Sequence, residues 1–248
     1  MTSPRTILLT GAAGRIGSFL TSHFASEYKL VLTDVRAPAD ARGFRFVEAD
    51  IADLDAMRAL CQGVDTVVHL AADPRIDAEW DDLLPRNVIG VQNVFQAAHE
   101  AGCQRVVFAS SINAVGGYPR DMQVHTSMPV RPANLYGATK AWGEALACMY
   151  ADQRGLAAIC LRFGWVVDRE SPRLRDSRTM LDRVLTYHDL ARLVRASIEA
   201  PDSLRFGIYH GLSNNRWKWL DISDARDELG YAPEDDAFAL AGVYEPQG

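Results

Sequence analysis

A chain of 248 residues that is 48% hydrophobic and 23% charged can bury a full core, either as one large α/β domain or as a domain with a small appendage. Its formal net charge of −6 argues against a nucleic-acid or anionic-membrane partner, and no apolar run approaches the roughly 20 residues that span a bilayer, so a small soluble ligand is expected. The first residues lead into a strand without a signal-peptide core, and Cys61, Cys103, Cys148 and Cys160 form no CxxC pair, so a cytoplasmic location, reduced thiols and no metal site are expected.

Ile7 to Thr10 reads as a buried parallel strand, followed directly by Gly11-Ala12-Ala13-Gly14-Arg15-Ile16-Gly17 and a helix. Gly11 allows a turn too tight for a Cβ, Gly14 lets backbone approach a pyrophosphate, and Gly17 lets the helix lie close on the strand. The helix start, with Arg15 and Ile16, offers unpaired N–H groups to phosphate. Leu30 to Thr33 is a second strand ending in Asp34, an acid that accepts from both hydroxyls of an adenosine ribose and repels a 2′-phosphate. The expected cofactor is NAD rather than NADP, with Arg36 nearby softening the preference.

Phe44 to Val47 is a third strand. The Asp50-Ile51 pair after it has two readings: contact with an adenine ring, or a helix cap, since a helix begins near Asp53. Asp65 to Leu70 is a fourth strand, and the small residues of Leu70-Ala71-Ala72 leave room for a cofactor at its carboxyl end. A helical stretch from Trp80 to Glu100, interrupted by Pro85, carries the core stripe Val88, Val91, Val94 and Phe95. Asn87 breaks that stripe, and position alone gives it little claim on function. Arg105 to Ala109 is a fifth strand that delivers Ser110-Ser111 to the edge bearing the glycine loop.

Tyr136 to Gln153 is a helix and Ala158 to Leu161 a sixth strand. The arginine-rich section 168–180 contains a proline and reads as a loop at the substrate end. A helix from near His188 to Ala200, a last strand at Arg205 to His210 and a capped helix at Asp221 to Leu229 complete the pattern. Strand and helix alternate throughout, so the expected fold class is α/β, a Rossmann-type doubly wound parallel sheet with a small C-terminal substrate-binding part. The expected core covers 1–162, completed by about 186–212, and the substrate-binding part 163–185 and 213–248.

Tyr136 and Lys140 lie four apart on one helix face. A fixed ammonium near a phenol favours the phenolate, so the pair is expected to act as a general base near neutral pH. Ser111 can donate a hydrogen bond to the same substrate oxygen.

These motifs together resemble the extended short-chain dehydrogenases/reductases of the NAD-dependent epimerase/dehydratase type: the glycine loop, Asp34, Asp50-Ile51, His69-Leu70-Ala71-Ala72, Asn87-Val88-Ile89-Gly90, Ser110-Ser111, Tyr136 with Lys140, and Leu229-Gly230-Tyr231-Ala232-Pro233. The chain looks most like the uronate dehydrogenases and the NAD-dependent glucose-6-phosphate dehydrogenases of halophilic archaea, through His69 to Arg75, Phe108 to Ser111, Asn134 to Gly137 and Arg162-Phe163-Gly164. The resemblance implies that Lys140 also holds the nicotinamide ribose and that Asn87 supports the active site. It implies oxidation of a small sugar or sugar acid at C1 to a lactone, with Tyr136 as base, and a homodimer or higher homo-oligomer. Where the relatives follow the second serine with Asn-His this chain has Ile112-Asn113, and Trp165 replaces a small polar residue, which puts the exact substrate in doubt.

Candidate substrate contacts are Asp73, Arg75, Ser111, Asn113, Trp165, Arg173, Arg175 and Arg178, the arginines being suited to a carboxylate or phosphate. Two other functions share the same motifs: a sugar epimerase or dehydratase that keeps NAD tightly bound, and a dinucleotide-sensing protein without turnover.

Overall fold

The structure of the protein, a computed structural model, describes residues 4–243. The ends of the expected core and substrate-binding part, residues 1–3 and 244–248, lie outside that range.

The chain begins with β1 (Thr6–Thr10), α1 (Arg15–His23), β2 (Lys29–Asp34), β3 (Arg45–Glu48), α2 (Leu54–Cys61) and β4 (Thr66–His69). Next come α3 (Trp80–Leu83), a π-helical segment (Leu84–Ile89), α4 (Gly90–Glu100) and β5 (Arg105–Ser111). After a 3-10 turn (Ile112–Val115) follow α5 (Leu135–Arg154), β6 (Ala157–Phe163), β7 (Trp165–Val167), α6 (Arg173–Asp176), a 3-10 segment (Arg178–Arg183) and β8 (Val184–Thr186). The last elements are α7 (Tyr187–Glu199), β9 (Phe206–Gly211), α8 (Ser223–Leu229) and α9 (Ala237–Leu240).

Seven strands form one parallel sheet in the order β3-β2-β1-β4-β5-β6-β9. Alternation along each strand feeds two cores. Ile7, Leu9, Val107 and Ala109 join Leu20, Leu190 and Leu193 on the face covered by α1 and α7. Leu8, Val106 and Phe108 join Met57, Val91, Phe95 and Ala147 on the face covered by α2, α4 and α5. The strand order reverses its direction of growth at β1 and β4, which is where open α/β sheets bind ligands. No helix among the described residues is long and apolar enough to cross a membrane.

Two expectations are corrected. Section 168–180 is not an open loop: it holds α6 and the start of a 3-10 segment, framed by a separate two-stranded sheet of β7 and β8. Single helical turns and three-residue strands are too short to show a period in sequence. Pro85 does not interrupt the long helix but sits in its π-helical segment, where Gly90 N–H bonds to Pro85 O. The wide turn shifts the phase of the buried face, so Asn87 points inward at 1% exposure and Val88 is only half-buried.

Candidate active site

A cavity of about 990 Å³ runs along the carboxyl edge of the sheet. At one end lies the glycine loop. Gly11 has φ +72, and a Cβ there would stand 2.8 Å from Ala71 N; a Cβ on Gly17 would stand 2.2 Å from Gly11 O. Gly14 caps α1 without a side-chain bond, so the helix's first N–H groups are left for a ligand. Asp34 accepts from Ala13 N at 2.9 Å through Oδ2, which leaves Oδ1 as an acceptor beside the loop. This open, donor-rich cradle with an acid at its rim fits the pyrophosphate and ribose of a dinucleotide.

Asp50 and Ile51 both line the cavity. Asp53, not Asp50, caps α2, accepting from Asp55 N at 3.0 Å and Ala56 N at 3.1 Å. Ile51 fits because residue 90 is glycine: a Cβ there would stand 2.5 Å from Ile51 Cδ1. Arg15, Ile16, Leu70, Ala71 and Ala72 also line the cavity.

The chemistry-bearing side chains gather at the other end. β5 ends at Ser111, while α5 begins at Leu135 and presents Tyr136 and Lys140, both buried. Gly137 makes the approach possible, since a Cβ there would stand 2.2 Å from Asn113 O in the turn after Ser111. Asn134 caps α5 by accepting from Gly137 N at 2.7 Å and donates to Asn113 Oδ1 at 3.2 Å. Asn113 N and Nδ2 both donate to Ser111 Oγ at 3.1 Å, which leaves the Ser111 hydroxyl free to donate its own proton.

Asn113 is therefore a strut that orients Ser111; it does not line the cavity, which corrects its expected substrate contact. Arg175 and Arg178 likewise lie outside the cavity lining, whereas Arg173, Trp165, Asp73 and Arg75 belong to it. Arg75 is engaged: its Nη2 pairs with Asp73 Oδ2 at 2.6 Å and with Asp82 at 3.0 Å. Arg86, a cavity residue with no signal in the sequence, approaches the same Asp73 at 3.7 Å. Tyr187, at the start of α7, is a second lining residue that the pattern did not reveal.

Asn87 stands behind the wall rather than on it. It accepts from Asp73 N at 2.8 Å, donates to Asp73 O at 3.0 Å and donates to Thr139 Oγ1 at 3.3 Å. Its Nδ2 thus ties the loop after β4 to the helix that carries Tyr136, while its Oδ1 holds the backbone of that loop. A buried Asn so fully partnered is a strut that cannot be exchanged for an apolar residue without orphaning backbone groups.

The proton chemistry differs from expectation. Burial pushes the Tyr136 phenol up to about 12, opposed by the Ser111 hydroxyl and reinforced by the Asp73 carboxylate. Lys140 Nζ stands 5.6 Å from the centroid of the Tyr136 ring and donates to Ala109 O at 2.8 Å. Burial instead lowers Lys140 itself to about 8, with Glu144 one turn on opposing the shift. Burial of both partners, invisible in their spacing, outweighs the attraction that the spacing suggested.

Beneath the site, Glu144 accepts from Arg162 Nε and Nη2, both at 2.8 Å, and from Ser110 Oγ at 2.6 Å. Arg162 and Glu144 are 1% and 2% exposed. This network locks β5, α5 and β6 together directly under Ser111 and Lys140. Among the described residues no group of three His, Cys, Asp or Glu side chains is arranged to hold a metal ion.

Residues 7–227 match the NAD dependent epimerase/dehydratase family. The chain is 34% identical over 259 residues to the NAD-dependent glucose-6-phosphate dehydrogenase of Haloferax volcanii, covering 97% of each chain. It is 32% identical over 244 residues to the uronate dehydrogenase of Pseudomonas putida, covering 97% of this chain and 88% of the relative. It superimposes with a TM-score of 0.86 on a mutant of Agrobacterium tumefaciens uronate dehydrogenase complexed with NAD, at 31% identity, covering 99% of this chain and 92% of the other.

Proposed function

The chain belongs to the NAD dependent epimerase/dehydratase family, and on that premise we propose that it oxidises a small sugar or sugar acid at C1 to the lactone. The observation that carries this reading is the convergence of Ser111, Tyr136 and Lys140 on one cavity whose other end is the glycine loop. The names of the relatives, a glucose-6-phosphate dehydrogenase and uronate dehydrogenases, support sugar oxidation with NAD.

Gly11, Gly14, Gly17 and the start of α1 would hold the pyrophosphate of NAD. Asp34 would hold its adenosine ribose, Asp50 and Ile51 its adenine, and Lys140 its nicotinamide ribose. When bound there, NAD supplies the hydride acceptor for the C1–H bond. Every other task falls to the chain. Ser111 donates a hydrogen bond to the substrate C1 oxygen, a role set by the two donors from Asn113 that occupy its lone pairs. Tyr136 removes the C1 hydroxyl proton as C1–O becomes a carbonyl. Arg173, free of any carboxylate partner among the described residues, would hold an anionic group of the substrate.

Tyr136 and Lys140 hold two protons between them at the site. One proton leaves near 8, where burial has placed the lysine, and the next near 12, where burial has placed the phenol. The state carrying one proton includes the phenolate beside the ammonium, and it fills as pH rises through 8. kcat/KM is thus expected to rise about tenfold per pH unit below that point and to level above it. Lys140→Met should abolish the break near pH 8; an unchanged profile in that variant would assign the break to another group.

The reading is tested by the absorbance of reduced nicotinamide when the purified protein meets NAD with uronates, neutral aldoses and sugar 6-phosphates. A signal with at least one of them is expected. No signal, with NAD binding measured separately, would overturn it.

A further inference from the structure

The amino edge of the sheet, opposite the active site, carries a second cavity of about 210 Å³. Its lining comes from residues at the starts of strands: Arg5 before β1, Thr66 opening β4, Gln104 and Arg105 at β5, and Arg205 before β9, with Asp202 nearby in the chain. Three guanidinium groups thus gather against one carboxylate, in a chain whose net charge is −6. Asp65, also at this edge, does not line the cavity and is engaged by Thr6 N at 2.7 Å.

The arginines are held in place by neutral partners. Arg105, 3% exposed, donates through Nη1 to Ser197 O and Ile198 O, both at 3.1 Å, and to Ala200 O at 2.8 Å. Its Nη2 donates to Pro201 O at 3.0 Å, and its buried Nε has no partner. Arg5 donates through Nη1 to Ile198 O and Arg205 through Nη2 to Gly155 O, which leaves further N–H groups of both without a partner among the described residues. These bonds fix the three side chains without neutralising them. Burial holds Arg105 below the ordinary guanidinium value, Arg5 and Arg205 lower it further, and Asp202 opposes them.

An independent sign lies in Thr66. It is 1% exposed and lines the cavity, yet its hydroxyl has no hydrogen-bond partner among the described residues. The other buried threonine hydroxyls, those of Thr10, Thr21, Thr33, Thr139 and Thr186, each have one. A buried hydroxyl left open is the exception that a bound group explains.

We propose that this amino-edge cavity is a second ligand site, one that binds a phosphate group through Arg5, Arg205 and the Thr66 hydroxyl over the buried charge of Arg105. Guanidinium N–H groups suit phosphate oxygens, and the Gln104 amide adds a further donor. The cavity is smaller than the roughly 300–1,000 Å³ of sites for drug-sized ligands, which suits a small ion rather than a dinucleotide. An occupant would tie the starts of β1, β4 and β9 together. The site stands apart from the cavity that carries Tyr136, so it holds whatever that cavity catalyses.

The test is calorimetric titration of the full chain, saturated with NAD, with inorganic phosphate and separately with glycerol 3-phosphate, at ionic strength fixed by chloride. One phosphate per chain is expected to bind, with a dissociation constant of about 1 mM or below. Tm should rise by about 3–6 °C at ten times that constant. Tighter binding of inorganic phosphate would assign the site to the free ion, and tighter binding of glycerol 3-phosphate to the phosphate group of a metabolite. Arg205→Gln and Thr66→Val should each weaken binding about tenfold. Thr66→Val should leave Tm without phosphate unchanged, because the hydroxyl it removes has no protein partner. No saturable binding, or binding that keeps its parental strength in Arg205→Gln or in Thr66→Val, would overturn the inference.

Discussion

Tyr136→Phe is expected to lower kcat by about 10²–10⁴-fold while leaving the dissociation constant for NAD unchanged within a factor of about two. The substitution removes one oxygen. The ring keeps its packing against Ala78 and Leu83, and Lys140 keeps its bond to Ala109 O, so the fold and the cofactor cradle have no reason to move. What is lost is the atom proposed to take the substrate's proton. Stopped-flow reduction of NAD separates the two effects, because a loss confined to the chemical step leaves the cofactor-binding phase intact. Equal loss in both would show Tyr136 to be part of the scaffold instead.

Arg162→Met is expected to cost about 3–5 kcal/mol of stability, on the order of 10 °C in Tm. The change strands the Glu144 carboxylate, 2% exposed, with Ser110 as its remaining side-chain donor. A buried charge without its partner is far more costly than no charge. The double variant Arg162→Met with Glu144→Leu should therefore recover part of the loss, and thermal unfolding of both proteins reads the difference. A single variant as stable as the parent would mean that the pair is solvated.

Much of the scaffold is legible in the amino-acid order because its causes are local. The apolar run before Gly11, the acid at the end of β2 and the small residues after β4 each need only their neighbours to be understood. The same holds for the cap that Asn134 gives to α5. Properties that depend on distant packing were hidden. Asn87 looks like an interruption of a core stripe, yet the π-helical segment turns it inward to clamp Asp73. Asn113 looks like a substrate contact and is a strut, because Asn134 and Ser111 hold it from both sides. Arg173, Arg175 and Arg178 are equivalent in sequence; only the placement of α6 and of the 3-10 segment after it admits the first to the cavity and not the others. The titration of Tyr136 and Lys140 follows burial, which no spacing of residues reveals.

If the protein breaks a C1–H bond of a sugar with Tyr136 as base, the fate of that hydrogen reports it. The full chain is incubated with NAD and a sugar that it turns over, carrying deuterium at C1, and reduced cofactor and product are followed together by NMR. The expected result is one lactone formed per NAD reduced, deuterium transferred to the nicotinamide ring, and slower turnover than with the protiated sugar. Deuterium retained on a sugar of altered configuration, with no net gain of reduced cofactor, would contradict the account and identify an epimerase in its place.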